Sequence, residues 1–120
     1  MTKEAALNAF WGRFGVPAYD ENSVPDDRPN MYITYEVATG NFGEQVALSA
    51  SIWHWHTWSW VAINTKAREI AEYLGLGGVY LRCDGGAIHI RQGSPFARSS
   101  EDEEVKQKYI NITAEFITEV

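Results

Sequence analysis

His54-Trp55-His56 sets two imidazoles two residues apart. On an extended strand that spacing turns both rings to one side, where they would share a metal ion if His89 or an acid supplied a third ligand. The segment, however, closes a run whose even positions (Val46, Leu48, Ala50 and Ile52) are apolar, so both histidines fall at the end of a core-facing row. No H-E-x-x-H, cysteine pair or neighbouring carboxylate completes a site. Two structural or surface histidines are the favoured reading, and a metal-binding domain built on His54 and His56 is the alternative.

Other chemistry is thinner still. Cys83 beside a histidine would make a nucleophile pair, but a lone cysteine ending a strand is usually a small buried apolar side chain. Asp84-Gly85-Gly86 and Gly75-Leu76-Gly77-Gly78 match neither G-x-G-x-x-G nor a P-loop and read as turns. The acids cluster in loops, where they stay solvated, and form no recognisable acid–base pair. The expectation is no enzyme, no catalytic residue, no metal and no cofactor.

Composition narrows the classes further. The chain has 120 residues, enough for one domain with a single core. Ten basic residues against sixteen acidic ones give a net charge of −6, which argues against affinity for phosphate backbones. One cysteine excludes an internal disulfide framework, and no apolar run approaches the roughly 20 residues of a membrane helix. An acid near the start, Glu4, does not suit a signal peptide, so the expectation is a protein of a reducing compartment. Five Trp, six Tyr and five Phe stand out at this length. Such side chains suit both cores and protein interfaces.

The elements that position these residues follow from spacing. Leu7, Phe10, Trp11 and Phe14 predict a helix over 3–14, ended by Gly15 and Pro17. Residues 15–30, with three prolines and four acids, predict a solvated loop. Met31, Ile33, Tyr35 and Val37 alternate with polar residues and predict a strand over 31–37. It is paired in a hairpin, through the loop 38–45, with a strand over 46–56. Trp60, Ile63, Ala67, Ile70 and Leu74 predict a second helix, begun by Thr57 or Ser59 and closed by Gly75. Two short strands, 78–83 and 87–92, follow. A polar, acidic loop over 93–104 then leads to a last strand over 105–118. The order predicts an α+β domain with a largely antiparallel sheet of four to five strands and two helices packed on one face.

That alternation puts Trp53 and Trp55 opposite Ile52, on the face that Ser49 and Ser51 make polar. Something must cover them: the first helix, the 15–30 loop, or a neighbouring subunit. Glu101, Asp102, Glu103 and Glu104 form a charge run that is either simply solvated or repels DNA.

The strands MYITYEV and VALSASIW, a Ser/Thr break, the helix WVAINTKAREIAEYLG, two short strands and the ending SPFARSSEDEEVKQKYINITAEFITE occur in an order that resembles the tail terminator (tail completion) proteins of long-tailed bacteriophages. The resemblance covers about residues 31–118 and is one of order and size. HWHTWSW is richer in aromatics than that pattern. The resemblance implies a structural virion protein of a phage or prophage, found in the virion tail after assembly in the bacterial host cytoplasm. It implies a sixfold ring of copies that caps the tail tube. Its partners would be the major tail tube protein and a head connector or head completion protein, with no membrane. DNA would pass the ring without sequence-specific binding. Trp53 and Trp55 then become candidates for the subunit interface. Asn41, Phe42, Glu101, Asp102, Glu103 and Glu104 become candidates for tube, connector or lumen contacts. Another head–tail joining or minor capsid component is the alternative nearest in class, and an adaptor that binds a peptide strand on its aromatic patch is a more distant one.

Overall fold

The computed structural model describes residues 1–119. Helix α1 (Lys3–Trp11) begins where the Thr2 hydroxyl accepts the Ala5 amide at 3.0 Å. A 3-10 turn (Gly12–Phe14) extends it to Gly15, which ends it in the left-handed region at φ 82°. The expected helix over 3–14 is therefore α-helical for three quarters of its length and tightens at its end. Helix α2 (Val61–Leu74) starts beside Ser59, whose hydroxyl accepts the Val61 amide at 3.1 Å, and stops at Gly75.

Among the described residues six strands form one sheet: β1 (Ala18–Asp20), β2 (Met31–Tyr35), β3 (Glu44–Trp55), β4 (Val79–Cys83), β5 (Gly86–Glu101) and β6 (Val105–Thr118). Their spatial order is β1-β2-β3-β6-β5-β4. The expected β2–β3 hairpin forms, and its register sets Ile33 opposite Ile52 and Tyr35 opposite Ala50. Three expectations are corrected. The sheet has six strands rather than four to five, and β1, inside the segment expected to be loop, pairs parallel to β2, making the sheet mixed. Residues 93–101 are strand, not loop: β5 runs on past an irregularity between Gln92 and Ala97, and only a tight turn at 102–104 separates it from β6. The bulge resolves the contradiction in the pattern. Ile88 and Ile90 face the core at even positions before it, whereas Ala97 pairs with the buried Ile110 after it, so the alternation changes parity and reads as noise.

One face of the sheet is the core. Ile33, Leu48, Ile52, Ile88, Ile90, Ile110, Ile112 and Phe116 are fully buried against Leu7, Phe10 and Trp11 of α1 and Ile63, Ile70 and Leu74 of α2. Each such side chain contributes roughly 1.5–3 kcal/mol by leaving water. Both helices lie on this face and meet at their aromatics, with the Phe10 and Tyr73 ring centroids 6.1 Å apart. Helix α1 touches both edge strands, β1 and β4, so the sheet curls around it. No helix among the described residues is long and apolar enough to cross a membrane.

Candidate functional site: the helix-free face of the sheet

Among the described residues, no helix covers the second face of the sheet. Alternation along β2, β3 and β6 sends Tyr32, Thr34, Ser49, Ser51, Trp53, Trp55, Gln107 and Tyr109 to it. Trp53 donates its indole N–H to Thr34 Oγ1 at 2.9 Å, and Trp55 donates to the Tyr32 hydroxyl at 3.1 Å. Both indoles are half-buried, and their one polar atom is satisfied within the chain. The rings of Tyr32 and Trp53 stack at 6.5 Å and 22°. Tyr32 also accepts from Arg28 Nε at 2.9 Å, and the Arg28 guanidinium stands 5.5 Å from the Tyr32 ring and 5.9 Å from the Trp55 ring.

Of the covers considered for Trp53 and Trp55, α1 is on the wrong face. The 15–30 segment does reach them, through Arg28 and through Tyr19, whose ring lies 6.0 Å from that of Tyr32. This cover is partial. A cleft of about 450 Å³ stays open between Glu21, Arg28, Tyr32, Trp53, Gln107 and Tyr109. Gln107 spans its floor, donating to Ser51 Oγ at 3.0 Å. The site is thus polar at its base and aromatic at its rim, a composition common to surfaces that meet other proteins.

His54 and His56 are not presented together. His54 is on β3, opposite Met31 and Lys106, with its Nδ1 buried and without a hydrogen-bond partner among the described residues. His56 lies beyond the strand at φ 56°, a left-handed backbone that breaks the two-residue alternation, and its amide donates to the Glu104 carbonyl at 2.8 Å. Among the described residues no group of three His, Cys, Asp or Glu side chains is placed to hold a metal ion. The Cys83 thiol is pushed up from its ordinary pKa, chiefly by burial and further by Asp84, against the opposing pull of Lys3. This is the reverse of what an activated nucleophile needs.

The remaining candidates occupy opposite ends of β3. Asn41 and Phe42 are in the loop before Glu44, and Phe42 is 78% exposed. That loop is fastened by Lys3, which donates to the Gly40 carbonyl at 2.6 Å and to Asn41 Oδ1 at 2.9 Å. The acids lie at the far end. Asp102, Glu103 and Glu104 are exposed in the β5–β6 turn, while Glu101 ends β5 and pairs with Lys106 at 2.6 Å. Lys106 is buried on the helix side, with its ammonium 4.7 Å from the centre of the Trp60 ring. Sequence reasoning missed Arg28, Tyr32 and Tyr109 as partners of the tryptophans. Tyr32 and Tyr109 share their parity along the strands, a readable signal, but nothing local marks Arg28. It also missed Trp58, which is 95% exposed beside the acidic turn.

No family model and no curated protein matches the chain. A solved structure is similar over 93% of this chain and 88% of its own, with a TM-score of 0.64 at 10% identity. At that identity the likeness shows the fold alone: a curled α+β sheet with its helices to one side is an arrangement that an unrelated-looking sequence also adopts.

Proposed function

We propose that this chain is a structural subunit of a phage tail, which caps the tail tube as a ring of copies and helps to join it to the head. The observation that carries the reading is the helix-free sheet face. Its half-covered Trp53 and Trp55, with Tyr32, Tyr109 and Arg28 around them, offer an aromatic surface to a second subunit. A ring needs two different patches per subunit that meet with a rotation that closes. The order of elements resembling tail terminators supports the same reading. In it the Asn41–Phe42 loop contacts tube or connector, and the acidic turn at the other end of β3 faces the opening or the solvent. DNA then crosses an acidic opening without being held by counterion release. The protein works by contact, with no substrate turned over.

The test is tail morphology in the phage or prophage that encodes the chain. Deleting the gene and imaging lysates by electron microscopy should give tubes of uncontrolled length, detached from heads, restored by the wild-type gene. Normal tubes on headless particles would shift the assignment to another joining component. Intact virions would refute the reading.

A further inference from the structure

Strand β4 is an edge of the sheet, bonded to β5 alone. The two-residue turn Asp84–Gly85 makes Cys83 and Gly86 exchange both of their hydrogen bonds. Alternation then turns the amides and carbonyls of Val79, Leu81 and Cys83 toward β5, and those of Tyr80 and Arg82 away from it. Asp84 shares that outward parity, and its amide donates to the Met1 carbonyl at 2.7 Å. Tyr80 and Arg82 have no such backbone partner among the described residues. The strand also has no proline, lysine or bulge, the features by which an edge usually refuses a second chain.

The space beside this edge is open. A groove of about 230 Å³ separates it from α1, with Ala6, Ala9 and Phe10 on one side and Tyr80, Leu81 and Arg82 on the other. Side chains of three consecutive strand residues point to alternate faces, so the wall they share is the main chain of the edge. On the helix-free face the Tyr80 ring stacks on the His89 imidazole of β5, with 4.4 Å between centroids and 16° between planes. That distance is close to the spacing of neighbouring strands, about 4.8 Å. One face of the ring is therefore taken, and the other looks outward to where an added strand would place a side chain. Tyr80 is 65% exposed, and Arg82 is exposed with no ion pair among the described residues.

We propose that β4 pairs antiparallel with β4 of a second copy of this chain, about a twofold axis at Leu81. In that register Tyr80 of each copy faces Arg82 of the other, Val79 faces Cys83, and Leu81 faces its own equivalent. Each Tyr80–Arg82 pair exchanges the backbone bonds that the lone chain leaves unmade. Each guanidinium covers the open face of a tyrosine ring whose other face rests on His89, a cation–π contact. Centring the pair on Arg82 instead would set two guanidiniums against each other, and centring it on Tyr80 would leave each Arg82 opposite Gly78. The edge is thus its own complement, which singles out a second copy as the occupant. The contact is isologous and closes as a pair. It goes beyond the ring reading, whose interface is heterologous and lies on the helix-free face.

The test is oxidative cross-linking of the full chain carrying V79C. Positions 79 and 83 are the two ends of β4, about 13 Å apart at about 3.3 Å per residue, too far to join within one chain. In the proposed pair they are directly opposite. Mild oxidation should therefore give a linked dimer, with mass spectrometry finding the disulfide between position 79 of one copy and Cys83 of the other. V61C, which puts a thiol at an exposed site on α2, reports random collision. Sedimentation velocity then weighs the side-chain pairing. Y80K sets a lysine against Arg82 of the second copy and should weaken dimerisation by about tenfold or more, and Y80K/R82E should restore it. Circular dichroism reports whether each variant folds. A V79C chain that links no faster than V61C, or a dimer that Y80K leaves as strong, would overturn the proposal. Tail morphology tests the ring reading separately, so failure of either leaves the other standing.

Discussion

Trp53 donates its indole N–H to the Thr34 hydroxyl at 2.9 Å, across the β2–β3 pair on the face of the sheet that carries no helix. The bond holds a large aromatic ring in place where the chain's own structure covers it only in part. A side chain that served only as core filling would be sealed in the core, as Trp11 of α1 is on the other face. One held by its polar edge beside an open cleft stays open to contact from outside.

That bond has a measurable weight. Thr34→Val keeps the shape and leaves the indole N–H without its protein partner, at a cost of about 1 kcal/mol. Urea denaturation should show a lower midpoint with an unchanged slope. Trp53→Phe removes the donor instead, and the Thr34 hydroxyl can turn to water, so the loss from that bond should be smaller.

Lys106 offers a second case. Its buried ammonium is held between the Trp60 ring at 4.7 Å and the Glu101 carboxylate at 2.6 Å. Lys106→Ala should cost about 2 kcal/mol through lost packing and a lost cation–π contact. Lys106→Met keeps the stem's volume and returns an exposed Glu101 to water, so it should cost less than about 1 kcal/mol. Equal losses in the two variants would show that charge, not packing, dominates at this corner.

Phe10 and Phe42 separate folding from assembly. Phe10 is fully buried between α1 and α2, and Phe10→Ala should destabilise the domain by about 3–5 kcal/mol. Phe42 is 78% exposed, so Phe42→Ala should shift stability by no more than about 0.5 kcal/mol. In the proposed assembly it should nevertheless lower the yield of capped tails, counted by electron microscopy beside the melting curve.

Cys83 titrates above an ordinary thiol because burial disfavours its thiolate. Alkylation by iodoacetamide follows the thiolate fraction. At mildly alkaline pH the folded protein should therefore react more slowly than the urea-unfolded chain, and its rate should keep rising at pH values where the unfolded chain has levelled off.

Much of this architecture was legible in the residues. The β2–β3 pairing, the apolar stripe of α2 and the last strand follow from apolar periodicity, because each has one face in the core and one in water. The side of the sheet that Trp53 and Trp55 occupy followed from the same alternation. Two parts were hidden for physical reasons. β1 is three residues long and sits between prolines and acids, so its pairing with β2 is decided by tertiary contact and not by local preference. The far half of β5 carries Ser94, Pro95, Ser99 and Ser100, and the bulge inverts its parity, so both composition and period argued for loop. Arg28 could not be placed on Tyr32 and Trp55 from spacing, since its position depends on how the 15–30 segment folds back over the sheet.

The proposed role as a tail subunit is tested most directly by looking for the protein in finished virions and locating it there. Virions carrying a tagged copy, labelled with gold and imaged by electron microscopy, should bear label at the head-proximal end of the tail tube, at several copies per particle. Label spread along the tube, or none in purified virions that lack no function, would contradict the account.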